Sequence, residues 1–422
     1  MLVGLSGRKL AGALLALEVV VVAVLFTFKV FDGQDLEVYI GGARLLLDSG
    51  DPYGTWVQTH GGWLPFTYTP FAAAVFLPGT LLSAALATRL VGLASIIAGG
   101  IVVYLFVATL NGSLTDRGCV RGRAIAVLAA IGAQAVGGIM EPVRSTLGFG
   151  QVNTLLMLMV VLDALLPGRA RTKGLLIGVA AAIKLTPAVF ILFFLFRKDF
   201  RSSARVVAGF LGAGLLMFLV APGASARFWT NILFDTSRIG DRGYVGNQSL
   251  RGMLARFGLG SAEDVVWVLA AFLVVAVTAF VIVRVAEPVF ALTACAIGGL
   301  LVSPVSWTHH WIWCVPILVL LVWRRTVVSY ALAVVTLALF VVAPMWLAPR
   351  PAGNFGWWLA TESFVLYGLL LLFFAVSSRE GPLPSVEPGE FSGSSQHLMA
   401  YVAASRSRRR SAGLFQPSVL RG

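Results

Sequence analysis

The densest group of chemistry-bearing residues in this chain is SPVSWTHHWIW, Ser303 to Trp313, where His309 and His310 stand side by side between two apolar segments. The whole sequence has four histidines, so half of its imidazoles meet at this one boundary. Ionisable groups at membrane depth are costly and are usually functional or paired. A lone histidine is commonly satisfied by backbone carbonyls. Two in succession point in different directions, so at least one is expected to face a cavity. Metal binding is the weaker reading, because no third and fourth ligands stand at familiar spacing.

The other reactive residues lie in short polar motifs. Asp35 sits in FDGQDLEVY (31–39), flanked by Asp32 and Glu37. A carboxylate at the mouth of an apolar cavity can serve as a general base, since partial burial raises its pKa toward the working pH. It can equally cap a short helix starting at Leu36, and both readings stand. Asp35 with Glu37 would be a thin divalent-metal site. Glu141 and Arg144 stand at i, i+3 beside Pro142, with Gln151 and Asn153 following in EPVRSTLGFGQVN. They form either a partly buried ion pair with loop amides or a site for a sugar hydroxyl or phosphate. Lys184 lies inside an apolar run just before Pro187. An ammonium there needs an anion, from either a protein carboxylate or a lipid phosphate. Arg251, in GNQSLRG with Asn247 and Gln248, is a bidentate fork for phosphate or a solvated loop arginine. Tyr39, Phe66, Tyr68, Trp307, Trp311 and Trp313 read mostly as aromatic-belt residues, of which one or two could stack on a sugar ring.

The elements that carry these motifs are membrane helices. The 422 residues are 58% hydrophobic and 12% charged, with mean hydropathy +0.88, which a water-soluble domain could not bury. The apolar runs are continuous rather than alternating, which excludes a transmembrane barrel. The net charge of +13 comes from short connections and the RSRRR tail, with no basic stripe interleaved with aromatics. It fits loops facing anionic lipid and argues against nucleic acid. Cys119, Cys295 and Cys314 have no metal-like spacing and read as packing residues. Residues 10–28, preceded by Arg8 and Lys9, read as a first transmembrane helix rather than a cleaved leader.

Basic loops decide the topology. If 70–82 stays on the outer side and 174–196 splits into two half-spans at Lys184–Pro187, the basic loops, including Arg117/Arg121/Arg123 and Arg169/Arg171/Lys173, all fall inside. The competing reading, with both stretches as full spans, exposes those two loops. The first predicts an all-α bundle of about twelve crossings with both termini cytoplasmic. It also places every polar motif on the outer face. The transmembrane domain then covers 1–376, with an outer loop at 29–83 carrying Asp35, and 377–422 reads as a disordered basic cytoplasmic tail.

Taken in order, DLEVY, PFTYTPFAA, EPVRSTLGFGQVNTLLM, AIKLTPA, NQSLRG and SPVSWTHHWIW resemble the motifs of actinobacterial polyprenyl-phosphate-mannose-dependent α-(1→2)-mannosyltransferases, which are family 87 glycosyltransferases with the GT-C membrane fold. The resemblance runs from about residue 31 to 313. It implies Asp35 as catalytic base and a decaprenyl-phosphate-mannose donor. The implied acceptor is a phosphatidylinositol mannoside or lipomannan at the outer leaflet, and neither metal nor other cofactor is implied. On this reading Lys184, Arg251, Arg144, His309 and His310 hold the donor phosphate. Glu141, Gln151, Asn153, Tyr68, Asn247, Gln248 and Trp307 contact the substrates. The first outer loop between Trp56 and Pro65 is short and Gly-rich, which leaves the acceptor open. Two alternatives stand beside this reading: a flippase for a lipid-linked sugar, and the same chemistry with arabinose as donor sugar.

Overall fold

The computed structural model describes residues 32–115, 120–349 and 353–377. The helix expected at 10–28, Arg117, Cys119 and the basic tail beyond Ser377 lie outside the described residues. By length and composition, five helices can each cross a membrane: Ala84–Leu110, Val120–Gly137, Phe200–Val220, Gly260–Arg284 and Val327–Trp346. Two bent pairs, Glu141–Gly148 with Asn153–Leu165 (112°) and Phe355–Thr361 with Ser363–Ser377 (75°), raise the number to seven if each is one span. The architecture is that of a helical multi-pass membrane protein, with fewer full-length crossings among the described residues than the hydropathy pattern suggested.

Two apolar runs fold as pieces. The run 174–196 forms the helix Leu175–Ile183, which ends at Lys184 with extended backbone (φ −138°, ψ 127°). Pro187 then starts a tight 3₁₀ turn, Thr186–Phe190, before the short helix Ile191–Phe196. Proline has no N–H to continue the ladder and biases its predecessor away from helix, so a break here is expected. The run near 70–82 is likewise not a span but the helix Pro70–Val75 followed by a 3₁₀ turn, Leu77–Leu81. Thr69 caps that helix, its hydroxyl accepting from the Ala72 N–H at 3.1 Å.

Leu175–Ile183 lies directly against Phe200–Val220. A Cβ on Gly178 would fall 2.3 Å from the Val206 carbonyl oxygen, so only glycine permits this approach. The outward side of Phe200–Val220 carries Leu211, Leu215 and Leu219, 59%, 61% and 75% exposed at four-residue intervals. Leu269, Phe272 and Leu273 do the same on Glu263–Arg284. Large apolar stripes of this kind belong in hydrocarbon.

Two buried apolar clusters organise the interior. The larger runs through the helical bundle and includes Val160, Ile297, Trp311 and Phe364. The smaller packs the helix Gln34–Ser49 and its flanking loop, through Leu36, Tyr39, Tyr53 and Phe66, onto Val152, Ile183 and Phe228. An antiparallel hairpin, Val57–Thr59 with Gly62–Leu64, completes this layer, with Gln58 opposite Trp63. Val152 and Ile183 precede Asn153 and Lys184 in the chain, whereas Trp311 follows His310. The polar residues therefore gather at the seam between the two clusters.

Candidate active site

The helix Gln34–Ser49 is held by its N-terminus. Its first N–H groups have no side-chain cap; instead Asp35 N–H and Leu36 N–H donate to the Phe149 carbonyl at 3.1 and 3.2 Å, and Gly33 N–H donates to Gly148 at 2.6 Å. These bonds satisfy donors that a helix start otherwise leaves open. Gly150 makes the close approach possible: its φ is +68°, and a Cβ there would lie 2.8 Å from the Leu36 Cβ. The cap position belongs to Gly33, so Asp35 is not a cap, and that reading of the sequence is overturned. Its carboxylate is left for other work.

The Asp35 carboxylate accepts one hydrogen bond at Oδ2 from Gln151 Nε2, at 2.5 Å. Burial raises its pKa above the ordinary carboxylate value, against the Gln151 hydrogen bond and the Lys184 charge, while Asp32 adds to the rise. The outcome is a half-buried carboxyl with one oxygen tied and a pKa displaced toward the range of a general base. Gln151 also faces Tyr68, whose hydroxyl lies 3.4 Å from Oε1 and 2.7 Å from the hydroxyl of Tyr39. The Tyr53 hydroxyl donates to the Tyr68 carbonyl at 2.8 Å and so fixes the strand of chain that carries Tyr68.

Lys184, half-buried at the helix break, turns its ammonium into the same seam. Its Nζ donates to Asn153 Oδ1 at 2.9 Å and meets His310 Nε2 at 2.9 Å. As a donor to Nε2, the ammonium requires that ring nitrogen to be the unprotonated one. Nζ also stands 5.4 Å from the centre of the Tyr68 ring, within cation–π range. Asn153 reaches further, its Nδ2 donating to the His309 carbonyl at 3.1 Å, where Thr146 Oγ1 also donates at 3.0 Å. The ring of His309 packs edge-on against Phe149 (5.6 Å) and His310 (4.7 Å), with its buried Nε2 left unpartnered among the described residues. Asp35, Gln151, Tyr68, Lys184, Asn153, His309 and His310 are thus connected in one cluster.

The remaining predicted residues have other placements. Glu141 is buried and makes no ion pair with Arg144: its Oε1 accepts from Ser145 Oγ (2.7 Å), Thr308 Oγ1 (2.8 Å) and Trp346 Nε1 (3.3 Å). Its Oε2 is buried without a partner. Arg144 is exposed, and no hydrogen bond ties it or Arg251 to the cluster. The Arg251 guanidinium is bound by Asp264 at the start of Glu263–Arg284 and lies 4.6 Å from the Trp267 ring centre. Asn247 and Gln248 are fully buried, with amides committed to backbone. Asn247 joins Arg242, Pro304 and Ser306; Gln248 joins Val245, Thr361 and Phe364. A substrate contact would have to break one of these bonds. Trp307 is half-buried, bridged to Asn247 through the backbone and edge-on to Tyr244 at 5.8 Å.

Several positioning residues were not picked out from the sequence. Thr146 and Thr308 lie inside quoted motifs, within two residues of chosen neighbours, but nothing in their type distinguished them. Arg256 forms a bidentate pair with the fully buried Glu362 at 2.6 and 2.5 Å and donates to the Tyr244 and Asn247 carbonyls, locking the segment that meets Ser306 and Trp307. His60, at the hairpin tip, bridges Asp32 (2.7 Å) and Glu37 (3.0 Å), the two carboxylates flanking Asp35.

A carboxylate and an ammonium linked through Gln151 and Tyr68, beside an unprotonated imidazole, can remove a hydroxyl proton and neutralise a departing anion at neighbouring positions. Comparison with known proteins gives the family. The sequence profile described as Glycosyltransferase family 87 matches residues 66–304, more than half of the chain. A Mycolicibacterium smegmatis polyprenol-phosphate-mannose-dependent alpha-(1-2)-phosphatidylinositol mannoside mannosyltransferase is 37% identical over 376 residues, covering 80% of this chain and 83% of that one. Its Mycobacterium tuberculosis counterpart of the same description is 36% identical over 377 residues, covering 84% and 88%. An M. smegmatis protein acting on phosphatidylinositol pentamannoside is 36% identical over 320 residues, covering 74% and 75%. The chain belongs to glycosyltransferase family 87.

Proposed function

We propose that this protein transfers mannose from polyprenyl-phosphate-mannose to a 2-hydroxyl of a mannosylated phosphatidylinositol acceptor, forming an α-(1→2) linkage with inversion; lipomannan is the alternative acceptor. The observation that carries the proposal is the pairing of Asp35, with one oxygen tied to Gln151, and Lys184, with a donor still available, across Tyr68. The relatives' substrates fit such a pair: a hydroxyl nucleophile on one side and a phosphate leaving group on the other.

The proposed steps are these. The acceptor hydroxyl gives its proton to Asp35 as its oxygen attacks the anomeric carbon from the face opposite the phosphate. The bond from that carbon to the phosphate oxygen breaks, and polyprenyl phosphate leaves with the bonding pair. The transition state has oxocarbenium character, as in inverting glycosidases, with a sugar hydroxyl in place of water. Lys184, and His309 beside it, stabilise the charge growing on the leaving phosphate, where preorganised electrostatics count most, while His310 orients the ammonium through Nε2. The exposed Arg144 is available to the same phosphate; Arg251 would first have to leave Asp264. A mostly apolar crevice lined by Ile96, Val102, Val103, Leu147, Met157 and Ile312 opens between the helices, and the prenyl chain is assigned to it. The site is assigned to the extracytoplasmic side of the plasma membrane and the C-terminal tail to the cytoplasm, on the distribution of basic loops.

The test is transfer by the purified protein in proteoliposomes, with labelled polyprenyl-phosphate-mannose, a panel of glycolipid acceptors and determination of the product linkage. Asp35→Asn should lower kcat by about 10²–10⁴-fold while the protein stays folded and inserted. Wild-type turnover in that variant would remove Asp35 from the role of base. Movement of the labelled lipid across the bilayer without a new glycosidic bond would instead identify a flippase.

A further inference from the structure

Tyr68 touches both halves of the site. Its hydroxyl stands between Gln151 Oε1 (3.4 Å) and the Tyr39 hydroxyl (2.7 Å), and its ring faces the Lys184 ammonium at 5.4 Å. The direction of each hydrogen bond is determined by what the partners can do. An ionised carboxylate only accepts, so Gln151 must present its NH₂ to Asp35 and its Oε1 to Tyr68. Tyr68 has one proton, and with that proton aimed at Oε1 its oxygen must accept from Tyr39. Donation therefore runs from Tyr39 to Tyr68, then Gln151, then Asp35. Burial holds both phenols well above their ordinary pKa, so each keeps its proton at working pH. Tyr39 is itself immobilised: it is 2% exposed and stacked on Phe76 with ring centres 4.8 Å apart.

We infer that Tyr68 is a positioning residue that sets the base and the cation at once: its hydroxyl locks the Gln151 amide in the orientation that holds Asp35 Oδ2, and its ring seats the Lys184 ammonium. With Oδ2 occupied, Oδ1 is the oxygen left to take the acceptor proton. The inference rests on Asp35 being the base. Removing the hydroxyl frees Gln151 to turn, weakens its donation and raises the Asp35 pKa. Removing the ring as well releases Lys184.

The two contacts separate by substitution in the full-length reconstituted enzyme. Tyr68→Phe should move the acid limb of the kcat/KM profile about 0.5–1 pH unit upward, with KM for the mannosyl donor within about twofold of wild type. Tyr39→Phe, which removes only the donor to Tyr68, should move the same limb in the same direction by less. Tyr68→Leu should add a roughly tenfold rise in donor KM. A merely structural role would lower the thermal midpoint without moving the limb. An acid limb in Tyr68→Phe coincident with wild type overturns the inference, and if that variant does not fold, the limb of Tyr39→Phe decides in its place. An active Asp35→Asn would instead overturn the base assignment itself. An inactive Asp35→Asn with unmoved tyrosine limbs would overturn the role of Tyr68 alone.

Discussion

Lys184→Met keeps the length and apolar stem of the side chain and deletes its charge. The ammonium has three N–H donors. Asn153 and His310 take two, and among the described residues no carboxylate lies within ion-pair distance of the third. That third donor and an uncompensated positive charge are what the seam can offer a phosphate. A preorganised donor aimed at transition-state charge is worth about 2.7–4 kcal/mol, so kcat should fall about 10²–10³-fold. A second signature follows from the neighbouring carboxylate. The Lys184 charge helps to hold the Asp35 pKa down, so its loss should move the acid limb of kcat/KM to higher pH. Folding should not suffer, because deleting a half-buried charge with neutral partners relieves desolvation; the thermal midpoint should stay level or rise. The assay is mannosyl transfer in proteoliposomes at saturating labelled donor across a pH series, with melting followed in parallel. Wild-type kcat together with an unmoved acid limb would refute the placement of Lys184 on the leaving phosphate.

Two further outcomes are expected. Gly150→Ala forces a side chain into a positive-φ position with a Cβ 2.8 Å from that of Leu36, which pushes the Asp35 helix off its seat. The strain alone is about 1–2 kcal/mol, and the displacement should lower kcat by up to about 10²-fold, which turnover and melting of the purified variant will read. A kcat equal to wild type would show that the docking does not position Asp35. The His60 pKa is raised above 6.5 by the hydrogen bonds its ring donates to Glu37 and Asp32. Its contribution is therefore complete below the unfolded pKa and is lost as pH rises through the folded one. The melting difference between wild type and His60→Ala should be present near about pH 6 and vanish by about pH 9, and a difference constant across that range would contradict the ion-pair role.

What the sequence made legible was local. Lys184 before Leu-Thr-Pro announces a broken helix and a charge in need of company, and both are found. Asp35, Gln151 and Asn153 are polar types in apolar surroundings, so their gathering was readable from motif order and orientation. What failed depended on partners distant in the chain. The cap reading of Asp35 could not anticipate the Phe149 carbonyl, which serves the helix start instead. Asn247 and Gln248 look like ligand-binding amides until Pro304, Ser306, Thr361 and Phe364 claim them. Arg251 is paired with Asp264, in a helix that read only as a span. Hydropathy alone counts apolar length, and among the described residues five to seven spans pass the length and composition test.

The partnership of Lys184 with His310 also bears on how the protein is made. The two residues are 126 apart in sequence, while Asn153 precedes Lys184 by 31. At ribosomal speeds of about 5–20 residues per second, roughly 6–25 seconds separate the synthesis of the lysine from that of its imidazole. Throughout that interval the nascent chain holds an ammonium with one amide for company, next to helices already entering lipid. Hydrocarbon cannot solvate it, so the half-helices on either side of Lys184 have reason to stay near water or the insertion machinery until Thr308–Trp313 arrives. Closure of the seam is then a late event in biogenesis, with the histidine pair completing assembly as well as the site.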